Sequence, residues 1–178
     1  MELLDCHQRL ARIPNLEIVY YFTHREVMLS IFKGVKLFVR NAFLDESDVV
    51  NFMKKWKSGD GYENLEVVRM TVNNNFHQLF NLNLERSLEA VNGKRFGSTP
   101  PVFCFRKRKS VHWYISEQFK SQFYIIRDTD GVVASVSITP ESFDFGVWKM
   151  TETELLDRMS NGTLEVEPSG IRHPCYYE

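Results

Sequence analysis

Cysteine is scarce in this chain: Cys6, Cys104 and Cys175 are the only three among 178 residues. An odd number at such wide spacing makes a poor disulfide framework and fits a reducing compartment where thiols stay free. Long apolar runs are lacking as well. No stretch approaches the roughly 18 uninterrupted apolar residues of a membrane helix. The opening residues 1–7 have neither the basic start nor the apolar run of a signal peptide. A surplus of either charge is missing too, since 22 Lys and Arg face 23 Asp and Glu, for a formal charge of −1. Non-specific nucleic-acid binding draws its affinity from neutralised phosphates, so this balance disfavours it. There is no glycine-rich phosphate loop. The sequon at Asn161 matters only in a secreted protein and is read as chance. These absences point to the cytoplasm or nucleus, away from the membrane.

Core material is present in quantity. Hydrophobic residues make up 43% of the chain and charged residues 25%, with 14 Phe, 7 Tyr and 3 Trp. A chain of this length buries about 70% of its unfolded surface and needs no disulfide or metal staple. One domain over 1–178 is expected, with a possible internal boundary at the Gly/Pro-rich loop 97–101.

Periodicity sets out the elements. Residues 2–12 have helical spacing, and 15–21 form an apolar, β-rich run. Thr23 and Glu26 make a capping-box pair before Val27, Met28 and Ile31, and Gly34 is placed as that helix's C-cap. A strand at 35–39 precedes a helix capped by Asp45 or Ser47, whose Val49, Phe52, Met53 and Trp56 form an i, i+3, i+4, i+7 stripe. Residues 58–61 end it, and 64–72 form the next strand. Asn15-Leu16-Glu17-Ile18-Val19 and Asn64-Leu65-Glu66-Val67-Val68 nearly repeat, each after an amphipathic helix. Helix–loop–strand units at that scale resemble leucine-rich-repeat building blocks, although two ordinary strands would read alike.

A helix over 83–91 follows, with Leu84, Leu88 and Val91 inward and Gly93 as terminator. From 102 onward the pattern is antiparallel β. Strands at 102–105 and 111–115 flank a basic turn, and strands at 123–127 and 132–138 flank Asp128-Thr129-Asp130-Gly131. Val132, Ala134, Val136 and Ile138 alternate as in a sheet with one wet face, and Phe143, Phe145 and Val147 alternate likewise. Thr151 and Glu154 cap a last helix carrying Leu155, Leu156 and Met159. The fold class is therefore α/β (α+β): leucine-rich-repeat-like units, then an antiparallel sheet with a C-terminal helix.

Two segments resemble the F-box-associated region, type 2, of the large nematode F-box protein families. One is the strand at 35–37 with the helix containing Asn51-Phe52 and Trp56, followed by Asn64-Leu65-Glu66. The other is Arg127-Asp128-Thr129-Asp130-Gly131-Val132-Val133-Ala134, leading to Val147-Trp148. Together they span most of 27–148. The resemblance implies a target-recognition region of a ubiquitin-ligase receptor. A Skp-type adaptor would bind only through an F-box outside this chain, because the chain itself contains none.

The residues offer three functional readings. In the leading one the chain is a protein-binding module, not an enzyme, with no cofactor and a protein target. Its face is the outward side of two adjacent strands: Lys36, Phe38 and Arg40 with Glu66, Val68 and Met70. The alternative cover for that face is another layer of the protein, which would make Phe38 core. The second reading is RNA association through Arg106, Lys107, Arg108 and Lys109 with nearby Phe103, Phe105, His112 and Trp113. The third is hydrolysis by Cys104 with His112, against which Cys104 sits between two Phe as inert core cysteines do. Cys6 with His7, and His173 with Cys175, lack the paired short spacings of a zinc site, so no metal is expected. Trp56, Trp113 and Trp148 are potential binding anchors, but the settings of Trp56 and Trp148 favour packing.

Overall fold

A computed structural model describes residues 12–18, 29–42, 45–71, 82–110, 113–164 and 173–174. Its strands are β1 (Asn15–Ile18), β2 (Lys36–Arg40), β3 (Val67–Thr71), β4 (Lys94–Arg95), β5 (Val102–Ser110) and β6 (Trp113–Lys120). They continue with β7 (Phe123–Ile126), β8 (Val132–Ile138), β9 (Ser142–Thr151) and β10 (His173–Pro174). The helices described in full are α1 (Glu46–Ser58), α2 (Leu84–Glu89) and α3 (Glu152–Ser160), and residues 29–31 are helical as well. The expected helix at 2–12 and the capping pair at Thr23 and Glu26 lie outside the described residues.

Seven strands form one sheet in the order β1-β2-β3-β9-β8-β7-β4. β1, β2 and β3 are parallel in chain order, and from β3 onward the neighbours are antiparallel. The chain is mixed α/β with a mostly sheet core and a C-terminal helix. Because β3 hydrogen-bonds to β9, the sheet takes strands from both sides of the loop at 97–101.

On one face of the sheet lie α1 and α2. α1 begins where the Asp45 side chain accepts the Asp48 N–H at 2.9 Å while the Asp48 carboxylate accepts the Asp45 N–H. It ends at Gly59, whose φ of +78° is open to a residue without a Cβ. Its stripe of Val49, Phe52, Met53 and Trp56 is buried to 2% exposure or less. Against it pack Leu37, Val68, Met70, Phe143 and Phe145 from the sheet. Tyr62 seals the margin, its hydroxyl donating to the Leu29 carbonyl. Burial pushes that phenol up to about 12. Gly34 is not the left-handed C-cap expected of it, since its φ is not positive. It is glycine because a Cβ there would lie 2.3 Å from the Ile13 carbonyl oxygen.

The opposite face has two covers. A second, antiparallel sheet, ordered β10-β6-β5, lies over β2 and β3, bringing Phe103, Phe105 and Phe119 onto Phe38 and Val67. α3 lies over β7 and β8, where Leu155 meets Phe96, Tyr124 and Val133. The wet face expected for β8 is therefore absent: Val133 and Ser135 are as buried as Ala134 and Val136. Alternation weakens as a signal when both faces are covered. Gly146 of β9 gives the second sheet its clearance, since a Cβ there would lie 2.5 Å from the Phe103 ring. Gly146→Ala is expected to cost about 1–3 kcal/mol by overpacking. Urea unfolding would measure it, and a neutral result would mean that the second sheet can lift away freely.

Candidate functional site

The expected binding face is not a surface. Phe38 is 4% exposed and stacks on Phe105 at 5.7 Å between centroids. Val68 and Met70, buried at 0% and 3%, point the other way, into the α1 side of the core. Val67 and Arg69 occupy the places assigned to them, because Lys36 pairs with Val67 and Phe38 with Arg69. A slip of one residue exchanges the two faces of a strand. Arg40 is exposed but pairs with Glu17 at 2.9 Å, along β1.

The basic turn is also corrected: residues 106–109 continue β5 instead of leaving it. Arg106 points outward, whereas Lys107 is 7% exposed, its amine 3.0 Å from Glu17 and 4.8 Å from the centre of the Phe38 ring. The side chains of Arg108, Lys109 and Trp113, and all of His112, lie outside the described residues. Phe103 and Phe105, proposed for base stacking, are 7% and 5% exposed and turned inward. Cys104 lies opposite Gln118 and six residues before Ser110. That separation is roughly 20 Å of extended strand, so the structure does not bring Cys104 toward the end of β5 that leads to His112. Asp128 and Asp130 are each held by a cation: Lys57 donates to Asp128, and Arg127 forks onto Asp130 at 2.9 and 2.6 Å. Arg127 keeps the Asp130 carboxyl below the usual carboxylate range. Among the described residues no group of three His, Cys, Asp or Glu could hold a metal ion.

Three of the charged residues expected to bind a partner do come together. The two covers on the far face leave a cleft of about 500 Å³ between them, and Lys36, Glu66 and Arg106 line it. β5 forms one wall from Phe103 to Arg106, and β9 supplies Trp148, Lys149 and Met150. α3 and the residues after it supply Arg158 and Leu164. Trp148 of β9 packs against both covers, meeting Phe103 edge-on at 5.0 Å and the cluster around Leu155, while its Nε1 donates to Ser135 Oγ of β8 at 2.9 Å. Glu66 sits where the parallel and antiparallel parts of the sheet join, its N–H on the Val35 carbonyl and its carbonyl on the Val147 N–H. Its carboxylate faces two amines, Lys36 at 3.5 Å and Lys149. Lys36 also donates to the Arg106 carbonyl at 3.3 Å.

Lys149 has a further peculiarity. Val147 pairs with Ala134 and Thr151 with Val132, so β9 bulges against β8. In that bulge Lys149 adopts a left-handed φ of +52°. A residue with a Cβ holds that conformation at a cost of roughly 1–2 kcal/mol, and strain of this kind gathers at functional sites. No local sequence signal announces it, because Gly or Asn are the usual occupants of such positions. Lys149 and Arg158 were therefore not legible as site residues.

Among the described residues, four cations and one carboxylate line this cleft, in a chain whose formal charge is −1. A larger hollow of about 890 Å³ runs along the outer side of α1, but its three lysines meet three aspartates and show no charge preference. The cleft can thus accept an anionic group beside an apolar one. Comparison with the models of known protein families, with curated proteins and with solved structures finds no match.

Proposed function

We propose that this chain is a protein-binding module, the target-holding part of an F-box-type ubiquitin-ligase receptor, and that the target occupies the cleft between β5 and α3. The observation that carries the reading is the cationic surplus over a Trp148 and Phe103 wall, held partly by a strained lysine. Interface centres combine aromatic anchors with a few orienting charges in the same way. The parallel order of β1, β2 and β3, with α1 packed behind, supports a leucine-rich-repeat-like reading of the N-terminal half, a type of unit widely used for partner binding. RNA would need exposed ring faces for stacking, and the aromatics beside the cleft are packed against one another. The protein reading is therefore favoured over the RNA one.

Lys149→Gly provides the test. It removes a cleft cation and relieves the left-handed strain, so the melting temperature is expected to stay level or rise. Capture of the target from cell extract, identified by mass spectrometry with the unaltered chain, is expected to fall at least about tenfold. A folded variant that captures the target at full strength would remove the cleft as the binding site. Recovery of the target from cells without any cullin-ligase subunit would remove the ligase context and leave the module.

A further inference from the structure

Among the described residues Glu66 is the only carboxylate lining the cleft, and both amines that face it belong to the cleft as well. All three side chains keep contact with water: Glu66 is 27% exposed, Lys36 21% and Lys149 68%. Ion pairs so exposed hold weakly and exchange partners readily. One carboxylate also cannot neutralise two amines, and Arg158 adds a further cation on the α3 side. The pocket is therefore shaped for a carboxylate, already holds one of its own, and has more cations than carboxylates among the described residues.

We propose that the cleft recognises an acidic linear peptide, and that Glu66 is the internal stand-in which a carboxylate of the partner displaces from Lys36 and Lys149. This inference rests on the protein-binding reading above. The carboxylate lies between the lysines, and an apolar side chain next to it in the peptide rests against Trp148 and Leu164, which line the same cleft. Glu66 thereby sets a threshold. A single weak carboxylate competes poorly with it, whereas a run of acidic residues gains from Arg158 in addition.

The test uses the full chain and fluorescence anisotropy. The probes are a short labelled peptide of alternating Glu and Leu, the same peptide with Gln for Glu, and labelled oligouridylate. The acidic peptide is expected to bind at least about tenfold more tightly than the Gln peptide. That preference should shrink as salt rises from about 50 mM to about 0.5 M. Glu66→Gln removes the competitor and is expected to tighten the acidic peptide about twofold to fivefold, while Arg158→Glu weakens it. Thermal melts of both variants control for folding, and the salt series on the unaltered chain tests the charge preference without any variant. Equal binding of the two peptides, weaker binding by folded Glu66→Gln, or preference for oligouridylate would each overturn the inference. If the acidic peptide fails to bind while Lys149→Gly still loses the captured target, the inference falls and the protein-binding reading stands.

Discussion

Trp56→Ala is expected to destabilise the chain by roughly 3–5 kcal/mol, the range for deleting a large aromatic from a core. Trp56 has no exposed surface and is the largest fully buried side chain among the described residues. Its ring meets Phe145 edge-on at 5.1 Å, and the Arg127 guanidinium lies 5.2 Å from the ring centre. It thus joins α1, β9 and the turn after β7. The indole Nε1 finds no hydrogen-bond acceptor among the described residues. Packing, not polar anchoring, is therefore what the substitution removes. A buried donor without a partner costs about 1–3 kcal/mol, so Trp56→Phe should lose distinctly less than Trp56→Ala. Chemical denaturation of the two variants checks this. A loss below about 1 kcal/mol for Trp56→Ala would contradict the burial on which the packing account rests.

The same helix shows where the sequence was readable. Val49, Phe52, Met53 and Trp56 follow the helical period, and Asp45, Asp48 and Gly59 bracket them, so every signal needed for α1 is local. The turn at 128–131 was equally plain, because Gly131 takes the positive φ that the turn needs. The three parallel strands lie close to their expected places, as do β7 and β8, and β2 does pair with β3. The failure concerned faces. Val67 and Val68 are both apolar and both buried, since α1 covers one side of β3 and the second sheet the other. When both sides are core, the period of two no longer says which side is which. The basic run failed for a related reason. Four successive cations suggest a turn, yet Lys107 is kept inside β5 by Glu17 and the Phe38 ring, which are distant in sequence. Charges buried by long-range partners leave no mark on their neighbours. The cleft shares this character, because it exists only where α3, β5 and the end of β9 converge.

Arg69 is the sharpest instance, and its removal carries the second large expected effect. It lies in an apolar strand, half-buried, and its guanidinium gathers three partners from two sheets. Nε donates to the Asp144 carboxylate, Nη1 to Glu117 at 2.6 Å, and Nη2 to the Gln118 carbonyl at 3.1 Å. The same group lies 4.9 Å from the centre of the Phe105 ring. Asp144 and Arg69 belong to the seven-stranded sheet, whereas Glu117, Gln118 and Phe105 belong to the second one. The residue therefore fastens the two sheets together beside Phe38. The Asp144 side chain is only 6% exposed, and it also accepts from the Ser142 hydroxyl at 2.9 Å. Arg69→Met keeps the length of the side chain and strands that carboxylate without its cation. Breaking a buried pair by removing one member costs about 3–5 kcal/mol, mostly through the uncompensated charge left behind. Asp144→Leu added to Arg69→Met removes the stranded charge and should recover much of the loss. A double-mutant cycle in urea measures the coupling, which is expected to reach at least about 1 kcal/mol for groups in direct contact. Additive losses would mean that Asp144 is solvated or otherwise compensated, and the fastening of the sheets would then rest on the Phe cluster alone.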